Sequence, residues 1–255
     1  TYALGWKSTL LVFGSVGIAV GLLCLAVPFS VGATDLQKGT VVGRRQAVRY
    51  FLILCGAMVF SGLMYRGYTI ILPTFFEAKL ADFSLFAREA ADAARLSPDA
   101  DTYAATIITC AVYLVGMAGQ LLGGRVADRY DLRWAYLVFF ASALRFLLLM
   151  SVVEGLPLIL MAAGFVLFSL GMQPIENSLV AVLSPPQWRS VSYGIKFTLV
   201  FGAGSLAVYL VAFVNGRFGL DAVVFLLLAF LASVITMIGV LLIASRKVAL
   251  RHESA

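Results

Sequence analysis

Residues 157–181 read PLILMAAGFVLFSLGMQPIENSLVA, twenty-five positions with a single charge, Glu176. As a helix rising about 1.5 Å per residue, such a run crosses a hydrocarbon layer about 30 Å thick. Comparable apolar stretches lie at 8–28, 48–72, 102–124, 134–153, 190–214 and 222–244, which makes seven. None shows the ten-residue alternation of a barrel strand, so each reads as a helix that satisfies its own backbone in lipid. Composition agrees, with 62% hydrophobic and 13% charged residues against about 45–50% and about 25% in soluble domains. Folded in water, the chain would expose far more apolar surface than a soluble protein carries. The expectation is an all-α integral membrane protein with seven transmembrane helices. A soluble enzyme, a disordered segment and a small disulfide scaffold are excluded. The first stretch is too long for a signal peptide, and no small-residue cleavage pattern follows Pro28.

Nineteen Lys and Arg against thirteen Asp and Glu point to loop topology rather than nucleic acid, because their places alternate. Lys38, Arg44, Arg45, Arg49, Arg125, Arg129, Arg133, Arg189, Lys196, Arg246, Lys247 and Arg251 fall on one side of the predicted spans. Glu77, Asp82, Glu89, Asp92, Asp99, Asp101, Glu154 and Asp221 fall on the other. The positive-inside rule makes the first side cytoplasmic, with the C-terminus inside and, by parity, the N-terminus outside. Thr1 in place of an initiator methionine, almost at the start of a span, leads to the expectation of a fragment lacking upstream helices. Around residues 77–101, Leu80, Phe83, Ala87, Ala90 and Ala94 recur at helical spacing among charges. That pattern predicts an amphipathic helix on the outer membrane surface, ended by Ser97 and Pro98. Cys24, Cys55 and Cys110 sit unpaired in apolar runs, and His252 is the sole histidine. No metal, cofactor or disulfide framework is expected from them.

The loop after the third span reads Gly124-Arg125-Val126-Ala127-Asp128-Arg129-Tyr130-Asp131-Leu132-Arg133. Gly119, Gly123 and Gly124 remove side chains where helices could approach closely. Asp128 lies near the start of the next helix, whose dipole favours an anion. Arg129 and Arg133 can pair with Asp128, with Asp131 or with a helix end, forming a cluster that breaks and reforms as helices shift. The plainer alternative is a positively charged cytoplasmic turn.

This loop resembles the signature loop of the major facilitator superfamily, Gly-x-x-x-Asp-Arg-x-Gly-x-Arg, with Asp131 where the family usually has its second glycine. Gln173-Pro174-Ile175-Glu176-Asn177, then Pro185, Pro186, Arg189, Tyr193, Gly194, Gly202 and Gly204, resemble that family's tenth-to-eleventh helix region. Tyr65-Arg66-Gly67-Tyr68 with Pro73 resembles its seventh helix. The resemblance implies helices six to twelve of a twelve-helix transporter. Residues 1–47 would be a sixth-like helix and cytoplasmic linker, 48–245 a six-helix bundle of two inverted three-helix repeats, and 246–255 a basic cytoplasmic tail. Residues 216–221 occupy the equivalent of the signature loop on the opposite face. The implied place is a bacterial plasma membrane.

Charge inside a membrane is rare and marks function by default. Counting from the inner ends of the predicted spans, Arg145 lies roughly 17 Å deep, Glu176 roughly 10 Å and Arg66 roughly 27 Å. Desolvation of Glu176 favours the neutral acid, which suits a proton carrier; Pro174, two residues earlier, invites a kink. Alternatively Glu176 pairs with Arg145 and holds two helices together, Arg145 then being a structural intramembrane charge. Arg66 could grip an anionic solute with Tyr65, Tyr68 and Asn177, or snorkel outward in an aromatic belt. Lys196 reads as an interfacial anchor. The resemblance implies a secondary transporter working by alternating access. A small solute and protons would cross the bilayer, and Asp128, Arg129, Arg133 and Gly124 would form a conformational latch. The solute would bind between this half and a missing N-terminal half of the same polypeptide. A seven-helix receptor or photoreceptor is the other class, but the last span carries no lysine for a Schiff base. An enzyme is not expected, since the spans hold no histidine and one deep carboxylate.

Overall fold

The computed structural model describes residues 5–26, 44–80, 100–184 and 186–252. Every regular element among them is helical: α1 (Gly5–Ala26), α2 (Arg44–Lys79), α3 (Ala100–Arg129), α4 (Leu132–Met150), α5 (Leu156–Leu183), α6 (Arg189–Phe218) and α7 (Leu220–His252), with a 3₁₀ turn at Pro186–Trp188. Six helices, α2 to α7, are long and apolar enough to cross a membrane. The protein is therefore a helical, multi-pass membrane protein. The chain divides into two compact units at Val41/Val42. The first holds α1, a 22-residue helix whose described apolar stretch is Lys7–Leu23. The surface helix expected around 77–101 falls mostly outside the described residues; α2 itself runs on to Lys79 and α3 starts at Ala100. At the other end, α7 carries helix into the basic stretch as far as His252.

In the second unit α5 packs against α3 and α4, and α2 packs against α6 and α7. Contacts between α4 and α7, and between α2 and α5, close the bundle. The antiparallel α2–α7 pair is pinned at both ends. Tyr50 donates to the Ala244 carbonyl at 3.1 Å, and Lys79 meets Asp221 at 3.2 Å. The core is filled by large side chains from α2, α4, α5 and α7, among them Tyr68, Phe76, Tyr136, Phe140, Phe165, Ile175 and Leu231. Apolar burial supplies little drive between helices in lipid, so close backbone approach matters more. Two crossings provide it. On α3, a Cβ added to Gly119 or Gly123 would overlap the backbone of Leu167 or Gly171 on α5. On α2, a Cβ added to Gly62 would overlap the Val200 backbone of α6. Gly124, expected to share this work, has open space where its Cβ would be.

The short α3–α4 connection is set by Asp131. Its carboxylate caps α4, accepting from the backbone N–H of Arg133 at 2.9 Å and of Trp134 at 3.4 Å. It also accepts from the Arg133 guanidinium at 2.6 and 3.1 Å. A glycine here would leave the helix start uncapped, which is a physical reason for an acid at this position. The Arg133 hydrogen bonds hold the Asp131 carboxyl below its ordinary value of 3.8. A depressed folded-state value means that the stabilisation is complete above the unfolded value and is lost as pH falls from there through the folded value. Asp131→Ala should therefore lower stability by about 1 kcal/mol at neutral pH, with the difference from wild type shrinking below about pH 4. Thermal unfolding in detergent at pH 7 and pH 3 measures both.

Proline does not interrupt the spans: α2 runs through Pro73 and α5 through Pro174 without a break. Breaks come instead where glycine adopts positive φ, at Gly155 (64°) before α5 and Gly219 (84°) between α6 and α7.

Candidate functional site

Glu176 on α5 lies seven residues before the helix end at Leu183, and Lys196 on α6 lies seven residues after the start at Arg189. Each is thus about 10 Å from the same face of the bundle, since the Pro186–Trp188 turn joins the two helices there. Their side chains meet: Lys196 Nζ is 2.8 Å from Glu176 Oε1, with 6% and 3% of the two side chains exposed. The second carboxylate oxygen, Oε2, accepts from the hydroxyl of Tyr136, which α4 contributes from one turn inside its start at Leu132. Lys196 also donates to Asn177 Oδ1 at 2.5 Å, and the Tyr193 hydroxyl donates to the Asn177 carbonyl at 2.9 Å. The ammonium further sits 5.8 Å from the centre of the Phe197 ring. Three helices thereby share one desolvated ion pair whose carboxylate oxygens are both satisfied.

Such an arrangement is asymmetric in energy. With both partners present, Coulomb attraction offsets desolvation; with one removed, the other is a stranded charge in a medium that cannot solvate it. Any event that neutralises the carboxylate therefore weakens the tie between α5 and α6.

Arg145, expected to pair with Glu176, does not do so. It stands nine residues beyond Tyr136 on α4, about two and a half turns, which places it on the opposite face of the helix, where it is exposed. Lys196, expected at the interface, is instead buried at 5% exposure. The equal depth of Glu176 and Lys196, seven residues from the ends of consecutive helices, was the sequence signal for this pair.

The proposed solute contacts separate into three places. Arg66 is exposed and lays its stem over Gly204 of α6, whose added Cβ would sit 3.3 Å from Arg66 Cβ. Tyr68, two positions on and so about 200° around α2, is buried at 2%. It makes an edge contact with Phe165 at 5.0 Å between ring centres and stacks on Tyr113 at 6.4 Å. Tyr65 bridges the two faces, half-buried and 5.6 Å from the Tyr68 ring. The hydroxyls of Tyr68 and Tyr113 are both buried with no hydrogen-bond partner among the described residues. Asn177 is twelve residues along α5 from Phe165, about 18 Å away from this aromatic cluster, and its side chain is engaged by Lys196.

No known protein family and no curated protein matches the sequence.

Of the latch residues, Arg133 is held by Asp131 at 2.6 Å. Asp128 and Arg129 are exposed at the end of α3, and Asp128 forms no ion pair among the described residues. Nor do the described residues contain a group of three or more His, Cys, Asp or Glu side chains able to hold a metal.

Proposed function

We propose that this chain is the C-terminal half of a secondary transporter of the major facilitator type, moving a small solute with protons by alternating access. The single observation that carries the functional reading is the buried Glu176–Lys196 pair, linking two membrane-spanning helices at 2.8 Å. Ionisable groups inside a membrane are costly and rare, which marks this pair as a functional candidate, and neutralisation of Glu176 would supply the function. A proton taken up by the carboxylate releases Lys196 to its remaining partner, Asn177, and frees α6 to shift against α5.

The helix pairing supports the inverted-repeat reading. Taking α2–α4 and α5–α7 as the two triplets, α2 packs on the second and third helices of the other triplet, α6 and α7. Correspondingly, α5 packs on α3 and α4. Each of the two first-to-second crossings carries a glycine backbone contact. This reciprocity is what a twofold-related pair of three-helix repeats produces. Solute would bind between this bundle and a second six-helix half, reached from Arg66 and Tyr65 on α2. The basic α3–α4 loop would lie in the cytoplasm of a bacterial cell.

The test uses the full-length transporter in proteoliposomes carrying an inward proton gradient, screened against organic acids, sugars, drugs and amino acids. Glu176→Gln should bind the transported solute within about threefold of wild type yet lose at least ten-fold of gradient-driven uptake. Solute counterflow, which needs no net proton movement, should persist. Gradient-driven uptake by Glu176→Gln with unchanged pH dependence would exclude the coupling role. If no solute class shows counterflow, the transporter reading itself fails.

A further inference from the structure

The exposed residues of α4 form one stripe. Trp134, Val138, Leu148 and Leu149 are 41–54% exposed, and Arg145 is exposed among them. Their spacing of three, four and seven residues is that of a single helix face, turned away from the α5 and α7 contacts. A stripe this apolar on a membrane-spanning helix faces lipid, and a lone arginine within it demands an anion. No hydrogen bond or ion pair reaches Arg145 from the described residues.

The depth of that arginine follows from the end of its helix. The carbonyls of the last turn of α4 have no partners within the helix and cannot sit in hydrocarbon. Those of Leu148 and Leu149 are taken by the N–H groups of Ser151, Val152 and Val153 as the chain turns. Regular helix nevertheless ends at Met150, and irregular backbone facing lipid is excluded from hydrocarbon, so the boundary lies close to Met150. Arg145 is five residues before it, about 7.5 Å, which is close to the reach of an extended arginine side chain. The helix, 19 residues long and so about 28 Å, matches the hydrocarbon thickness. Trp134 then marks the opposite interface, where tryptophan is favoured.

We propose that this face of α4 binds a membrane phospholipid, with the Arg145 guanidinium holding its phosphate and the acyl chains lying along Leu148, Leu149 and Val138. A planar guanidinium fork suits a phosphate oxygen pair and is less strongly hydrated than an ammonium. A second copy of this chain is a poor source of the anion. Among the described residues the only carboxylate more than one turn inside a span is Glu176, and that is buried and paired.

Native mass spectrometry of the delipidated full-length protein tests this, with phosphatidylglycerol titrated against diacylglycerol of the same acyl chains. Wild type should retain at least one phosphatidylglycerol more than Arg145→Leu and bind it at least fivefold more tightly, with Arg145→Lys between them. Diacylglycerol should bind wild type and Arg145→Leu alike. Equal phosphatidylglycerol retention by wild type and Arg145→Leu overturns the proposal. So does a co-purifying protein that Arg145→Leu releases while lipid binding stays unchanged. Arg145→Gln, which keeps a polar group without charge, repeats the comparison should the leucine variant fold poorly; its retention of the lipid at wild-type strength would equally overturn it.

Discussion

Lys196→Met should destabilise the bundle by about 3–5 kcal/mol, the usual penalty for stranding one member of a buried pair. The loss comes from the residue left behind. Glu176 would keep the Tyr136 hydroxyl on Oε2 but lose the cation on Oε1, in a span only 3% open to its surroundings at that side chain. The Asn177 amide would lose its 2.5 Å donor as well. Changing both residues, Glu176→Met with Lys196→Met, should recover most of the loss and could exceed wild-type stability, because the pair's desolvation disappears along with its attraction. Thermal unfolding of the four proteins in one detergent closes the double-mutant cycle, and a coupling of at least about 2 kcal/mol is expected for a contact this direct. Additive single effects would mean that the two charges are solvated in the membrane and tie nothing together. Under the proposed transporter function, the double variant also separates structure from coupling: it should fold and bind solute, yet move none against a gradient.

Six of the seven expected spans were legible because an apolar run of twenty residues has few alternative explanations; at the first, 8–28, the described apolar helix is only Lys7–Leu23. The ends of the spans were not legible. α2 begins at Arg44 and continues to Lys79, well past the apolar stretch 48–72, because charged and aromatic residues remain helical outside hydrocarbon. Arg66, Arg145 and Glu176 were also legible as intramembrane charges, since so few residues in the spans ionise. What failed was the pairing. Depth alone selected Arg145 for Glu176, but a helix also fixes direction. Nine residues beyond Tyr136, the arginine points away from the residue that Tyr136 touches. Direction misled the Arg66–Tyr68 grouping in the same way, two neighbours in sequence being nearly opposite on α2. Lys196 was discounted for lying near the start of its span, although Glu176 lies equally near the end of its own. Asp131 shows the opposite case. It stands where the resembled loop usually has a glycine, and the cap it supplies to α4 gives it a local function.

Gly123→Val should be among the most damaging single changes in the chain, while Gly124→Ala next to it should be harmless or favourable. Both glycines sit near the end of α3, so propensity and depth are nearly the same and only direction differs. Gly123 faces α5, where its missing side chain lets the Gly171 carbonyl approach until any Cβ would overlap it. The obstacle is backbone, which cannot rotate away, so α3 and α5 would have to separate along the Gly119–Leu167 contact too. Overpacking of this kind reaches 3 kcal/mol or more, and in lipid the lost close packing has no hydrophobic drive to replace it. Gly124 faces open space, so alanine there gains helix propensity of up to about 1 kcal/mol and meets nothing. Unfolding midpoints of the two variants in one detergent should diverge, Gly123→Val down by at least about 6 °C and Gly124→Ala level or up, taking roughly 2–4 °C per kcal/mol for a protein of this size. Equal tolerance at both positions would mean that α3 and α5 do not cross at Gly123. The α3–α5 crossing would then rest on Gly119 against Leu167 alone as the counterpart of Gly62 against Val200.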